Sequence, residues 1–462
     1  MTQTPPIRRG SINSGSWSLL KAAKYVGVII GTAILISILI FIFYPDPFIN
    51  TFLKPRITKA FTEAFPAYSI QLGGMHYQVW KNRLSCDSIV LKTSDSSFTC
   101  SVASFSVSGF RWLTVLLHSD VTPNTLTSSI IEAQTFVLKF CHSQNELRCG
   151  MLHVSVPDSE MVMDSIKYYC LLDDEQFFEK SPLRQTRYRF DIPHATVTGL
   201  DCLAMLQDNT YNARSVSMRN VFVDILLNKD KPFDETVSHP LMPNEILSSM
   251  KQIVAVDSVT IINGGFNYCE RFAVRATPGV ISFKNLNVLV RGIANHTVEP
   301  DTMFLQAKGL FMNSGTMELF AAIPLTSKDL SLRYSGSLTR MDATELNTFI
   351  EPSEHQRIKS GTLQSATFHI NVDAGNASGT LRVVYKDLSV AILNKNTGSE
   401  KGFFDRIASA FGKAFVIRGS NQPDGEGVVK TGEILYTKKT GDFFVEFLWF
   451  ALRSGIGNIV GF

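Results

Sequence analysis

"SATFHINVDAGNASGTLRVVYKDLSVAIL" runs from Ser365 to Leu393. Ala366, Phe368, Ile370 and Val372 point one way, while Thr367, His369, Asn371 and Asp373 point the other. Asp-Ala-Gly-Asn turns the chain, and Leu381, Val383 and Tyr385 resume the alternation. Period-two alternation across a Gly/Asn turn is a β-hairpin with one apolar face. Function turns on what that face touches: a packed core, a membrane, or a ligand made of hydrocarbon.

Strand signals of the same kind fill most of the chain. "FTCSVASFSVSGF", "IIEAQTFVLKF", "SVSMRNVFVDILL", "SVTIINGGFNYCE" and "GVISFKNLNVLV" are short, rich in β-branched and aromatic residues, and bounded by turn residues. The expected fold class is therefore mainly β. A helix is expected near Asn244 to Ile253, and another in "DATELNTFIEP", capped at Asp342. The chain has 462 residues, 45% hydrophobic and 18% charged, with 33 Phe and a net charge of +3. This balance, with no basic run interleaved with aromatics, gives no sign of nucleic-acid binding.

"YVGVIIGTAILISILIFIFY", Tyr25 to Tyr44, is twenty residues without a charge. A helix of about 20 residues spans roughly 30 Å, the thickness of a bilayer's hydrocarbon. It reads as a transmembrane helix after a short tail, residues 1–24. Arg8, Arg9, Lys21 and Lys24 precede it without an acidic residue, and Lys54, Arg56 and Lys59 follow. The positive-inside rule then favours a cytoplasmic N-terminus. Pro55 opens an amphipathic helix carrying Ile57, Phe61 and Phe65, which suits either the first strands or the bilayer surface. Near the C-terminus, "KGFFDRIASAFGKAF" puts Phe403, Phe404, Ile407, Phe411, Ala414 and Phe415 on one helical stripe. "GDFFVEFLWFALRSGIGNIVGF" then closes the chain as a core element or an exposed apolar end.

No P-loop, GxSxG or HExxH occurs, and the nine histidines show no metal-ligand spacing. The chain is read as neither enzyme nor cofactor protein. Seven cysteines occur without a CxxC. Cys86 and Cys100 flank one turn-like stretch and Cys141 and Cys149 another, so both pairs are candidate disulfides, with small buried thiols as the plainer alternative.

Three stretches resemble the AsmA-like family of inner-membrane-anchored envelope proteins. One is the lone anchor followed by "FPAYSIQLGGMHYQVWKNRLSCDSIVLK" and "FTCSVASFSVSGFRWLTVLL", with Trp112 and Leu113 after a Ser-Val-Ser-Gly strand. The second is "FNYCERFAVRATPGVISFKNLNVLVRGIANH", and the third begins at "IKSGTLQS" and contains the opening hairpin. The Phe-rich ending and the seven cysteines depart from the family's pattern. The resemblance implies a long, bent, antiparallel-rich sheet, open as a groove, with domains at 45–240 and 241–399, while the amphipathic, apolar tail at 400–462 is read from its own Phe pattern. It implies a single pass of the inner membrane with the bulk of the chain in the periplasm. The expected partner is phospholipid or another acyl-chain lipid, bound or moved in outer-membrane lipid homeostasis. The alternative is a non-enzymatic scaffold for outer-membrane or other envelope proteins. Phe368, Ile370, Val372, Leu381, Val383 and Tyr385 are the candidate groove lining. The same alternation also suits a closed sandwich.

Overall fold

The structure is a computed structural model that describes residues 16–110, 125–234, 240–296, 301–325, 327, 329–394 and 418–461. Trp112 and Leu113, the cations Arg8 and Arg9, and the stripe from Phe403 to Phe415 lie outside these residues. Twenty strands form one sheet: β1 (Tyr68–Leu72), β2 (Met75–Gln78), β3 (Arg83–Cys86), β4 (Ile89–Thr93), β5 (Phe98–Ser108), β6 (Ile130–Phe140), β7 (Asn145–Ser155), β8 (Glu160–Cys170), β9 (Thr186–Thr198), β10 (Thr210–Arg219), β11 (Phe222–Asn228), β12 (Ile253–Arg271), β13 (Gly279–Ala294), β14 (Thr302–Phe311), β15 (Gly315–Pro324), β16 (Leu332–Leu338), β17 (Met341–Asp342), β18 (Gln356–Asp373), β19 (Asn376–Ile392) and β20 (Thr431–Thr437).

Most neighbours are antiparallel, as short turns dictate. The hairpin that opens the sequence is β18–β19, with Asp373 opposite Asn376. Ala374 and Gly375 between them both have positive φ, as a two-residue primed turn requires. One seam is parallel: β10 and β11 lie end to end, antiparallel to β9 on one side and parallel to β12 on the other. The boundary expected at 240/241 falls in the crossover from β11 to β12. The regions on its two sides are thus parts of one sheet.

The strands kink along a common line. β1 and β2 break at Gly73, whose N–H donates to Ser88 O across the break between β4 and β3. Further along the sheet Thr135, Ser165, Asn220 and Asn263 take positive φ, each within or between strands. A left-handed residue inserts one extra position and bends its strand. Apolar side chains follow the insertion by stepping three residues instead of two: Leu72/Met75, Cys86/Ile89, Val102/Phe105, Ala133/Phe136, Met163/Ile166 and Ile192/Ala195. The apolar face is therefore kept across the line, and Leu72 and Ile89 pack in one cluster with Met75, Tyr77 and Cys86.

Among the described residues seven helices, apart from two short 3-10 turns, attach to the sheet's ends and margins. They are α1 (Ser16–Phe43), α2 (Asp46–Ala64), α3 (Asp174–Glu179), α4 (Cys202–Gln207), α5 (Pro243–Ser249), α6 (Asn347–Glu354) and α7 (Phe444–Val460). α1 covers the apolar run, and most of its described large side chains are exposed, from Val28 at 60% to Phe43 at 65%, with Phe41 and Ile42 partly covered. Among the described residues no single helix is long and apolar enough to cross a membrane. The segment Ile30–Phe43 together with α2 is, with a bend of 89° between them. The amphipathic helix expected to open at Pro55 begins nine residues earlier, at Asp46, through a π-helical turn at Ile49–Leu53.

Both candidate disulfides are corrected. All seven cysteines are free. Cys86 pairs in register with Met75 and Phe105, whereas Cys100 sits opposite Leu91 and Leu138. Cys149 faces Phe136, well inside β7, while Cys141 lies in the turn after β6. Strand register, which the spacing of cysteines does not reveal, keeps both pairs apart.

Candidate functional site

The register carries one apolar row across the whole sheet. Directly opposed residues share a face. From β2 the row passes Tyr77, Leu84, Val107, Ile131, Val154, Met161, Val197 and Val216. It continues through Val259, Val290, Leu305, Ala321, Tyr334, Ile370 and Gly379 to Ile434 of β20. No position in it is polar except the Tyr hydroxyls. The row two residues along is equally apolar, running through Met163, Ala195, Met218, Ile261, Val288, Ala307 and Leu319. The intervening row, on the other face, is mostly polar: His76, Ser85, Ser106, Glu132 and His153 at its start. Beyond the kink line a third apolar row is largely aromatic. Leu138, Leu147, Tyr168, Phe190, Val223, Phe266, Phe283 and Phe311 oppose one another in turn. Tyr168 stacks on Phe190 at 5.6 Å, and Phe283 lies 5.2 Å from Phe311.

Cover over this face is uneven. At the β2 end α2 roofs it with Ile49, Leu53 and Ile57. At the β20 end α5 and α7 roof it, and Met242, Phe447, Ala451 and Ile459 are fully buried there. The six sequence candidates fall under this second roof. Phe368, Ile370, Val372, Leu381 and Tyr385 are buried, Val383 partly so, and all six pack in one cluster with α7. At this end the face is occupied by the chain's own helix, which is also the fate of the Phe-rich ending. Gly432 and Gly455 let the helix approach: a Cβ on Gly432 would lie 2.1 Å from Gly455 O.

Between the roofs a smaller cluster, with Leu200 and Cys202 of α4 over Val154, Met161, Val197 and Val216, closes the first row from β6 to β10, and the rest of the face is only half-covered. Met218, Val259, Ile261, Val288 and Ala307 on one side of the kink line are partly exposed and join none of the core clusters. The same holds for Leu138, Leu147, Tyr168, Phe190, Val223, Phe266 and Phe283 on the other side. Sequence reading placed most of these in strands without singling them out. The signal that finds them is the three-residue apolar step at each kink. A hollow of about 710 Å³ across β12 to β18 is a separate feature. Most of its side chains, such as Thr260, Gln306, Ser335 and His369, belong to the polar rows.

Ionic groups fix the covering elements. Lys229, just past β11, reaches Glu270 at 2.8 Å and Glu446 of α7 at 2.6 Å, and all three are largely buried. Tyr268 OH donates to Glu270 at 2.8 Å. Burial raises the Glu270 pKa, against the pull of Lys229. On the other face Arg187 joins Asp174 of α3 to Asp224. At the β2 edge, α2 places Asp46, Asn50 and Lys54 four residues apart along one side. Asp46 accepts from Tyr77 N–H at 3.0 Å, Asn50 exchanges two bonds with Met75, and Lys54 donates to Gly73 O at 2.9 Å. These side chains satisfy backbone groups that the edge strand would otherwise offer to another chain. His76 completes the edge, bonded to Asp46 at 2.8 Å and Asp87 at 3.1 Å. Of the three surface-helix candidates, Ile57 turns to the sheet, Phe61 is half-buried against Phe65, and Phe65 is exposed.

Among the described residues no group of three or more His, Cys, Asp or Glu is placed to hold a metal ion. No protein-family model matches the sequence, and no curated protein matches it.

Proposed function

We propose that the chain is a membrane-anchored protein of the cell envelope that binds or transfers acyl-chain lipid along the apolar face of its sheet. One observation carries this reading: apolar rows run unbroken across the strands, are roofed at both ends and by α4 over β6 to β10, and are left half-covered from β10 to β14 and along the aromatic row. A side chain row of this kind in a two-layer fold would meet a second layer. Here Met218, Ile261, Val288, Phe266 and Phe283 meet none of the core clusters. Hydrocarbon suits such a surface. Each CH₂ removed from water contributes about 0.8 kcal/mol, and no directional group is needed. The exposed apolar helix α1 supports the anchor, and the AsmA-like resemblance supports an inner-membrane site with the sheet in the periplasm. The reading assigns no catalytic residue and no cofactor.

The scaffold alternative requires an open strand edge for a partner polypeptide. Asp46, Asn50 and Lys54 occupy that of β2, while β1 and β20 pair on one side only, so the lipid reading rests on the apolar face rather than on the edges.

Native mass spectrometry of the full chain, released from detergent, tests the proposal. Phospholipid should co-purify with the natural protein and with Thr260→Asp on the polar face, and be lost in Phe283→Asp with the fold intact. A folded, lipid-free natural protein would refute it.

A further inference from the structure

α2 has a second face. Ile49, Asn50, Leu53, Lys54 and Ile57 turn to the sheet. Phe48 and Phe52 turn away from it, 46% and 53% exposed. The Phe48 ring meets Phe41 of α1 edge-on at 5.5 Å, and Phe52 lies 5.0 Å from Phe48. This face therefore looks back along α1, and over the next two turns it carries Arg56 and Lys59, both exposed, with Lys59 3.7 Å from exposed Glu63 one turn on. The bend between the helices is 89°.

We propose that α2 is a bracket seated on the bilayer that α1 enters, with Phe48 and Phe52 at the level of the upper acyl chains and Arg56 and Lys59 among the lipid phosphates. The inference rests on the reading of α1 as a membrane anchor. A helix at nearly a right angle to a spanning helix lies in the membrane plane, where paired aromatics and cations are the favoured composition. The opposite face of α2 holds the β2 edge. Seating it on the bilayer makes successive strands climb away from the surface, and the apolar rows begin beside the lipid headgroups. A bound acyl chain would then enter at the α2 end rather than from solvent.

Depth-dependent quenching tests the seat. The full chain carrying Phe52→Trp is reconstituted in vesicles of zwitterionic and anionic phosphatidyl lipids, some brominated near the top of the acyl chain. The added emission, taken as the difference from the parent protein, should be quenched by the brominated lipid and shielded from aqueous iodide. A Phe320→Trp variant, on the polar face far from α2, should show the reverse. If the protein floats with the vesicles but Trp at 52 is quenched by iodide and not by lipid, α2 is not seated and the inference falls alone. If the protein does not float with vesicles, the anchor reading falls and takes the inference with it.

Discussion

Phe368 and Phe283 lie on the same face of one sheet, and they differ in what covers them. Phe368 is buried beneath α7, packed with Tyr334 at 5.9 Å. Phe283 is partly exposed, joins none of the core clusters and packs along its own aromatic row. Phe368→Asp should therefore prevent folding of the β20 end, since a carboxylate there has neither water nor a partner. Phe283→Asp should leave circular dichroism and the urea midpoint nearly unchanged while lipid is lost. Equal unfolding by both would place Phe283 in a closed core. Lys229 is the residue on which the β20 roof depends ionically. Lys229→Met leaves Glu270 and Glu446 buried without their cation, a loss on the order of 3–5 kcal/mol. Denaturant titration at neutral pH should register it, and lowering the pH should recover part as Glu270, whose pKa burial already raises, protonates. His76 gives the β2 edge a pH dependence. Its hydrogen bonds to Asp46 and then Asp87 raise its pKa. The stabilisation is fully present below the ordinary imidazole value and is lost as pH rises through the raised one. Hydrogen exchange at Tyr77 should speed up across that interval beyond the intrinsic base effect, and His76→Gln should abolish the extra increment.

The elements show how much was legible in the sequence. The hairpin from Ser365 was readable because alternation and a Gly/Asn turn are both local signals, and the turn fell at Ala374 and Gly375 as expected. The helix at Asp342 was readable from its cap: Asp342 accepts from Thr344 N–H at 2.9 Å and opens a 3-10 turn, Ala343–Leu346, that leads into α6. What α7 covers was not readable. "FVEFLWFALRSGIGNIV" announces an apolar helix, but Gly455 meeting Gly432 is a contact between residues far apart in sequence. The candidate lining at Phe368 to Tyr385 had the right face for the same reason that it lay under the roof: the most regular alternation belongs to the best-packed strands. The half-covered stretch was obscured because Thr135, Ser165 and Asn263 interrupt the period. Gly432→Ala should move α7 outward, because the obstacle is backbone that has nowhere to retreat. Overpacking of this kind costs about 1–3 kcal/mol. Emission of Trp449, 6.1 Å from Phe349, should shift to the red as the helix lifts.

At the scale of the molecule, end-to-end strands shorten the sheet. Tyr77 to Ile434 makes sixteen rungs. At roughly 4.8 Å each, they cover about 70 Å measured along the sheet. Roofs at both ends and the α4 cluster shorten the half-covered stretch further, to β10 to β14 on one side of the kink line and β6 to β13 along the aromatic row. That length suits holding a few acyl chains and delivering them over a short distance, or joining a partner that carries them on. The most direct measurement is photo-crosslinking of the full chain with a phospholipid bearing a diazirine near the end of its acyl chain, followed by peptide mapping. Adducts should fall on Met218, Ile261, Val288, Phe266 and Phe283, and be absent from the polar-row residues between them. Adducts confined to α1 and α2, with none on β8 to β14, would mean that the sheet's apolar face does not hold lipid.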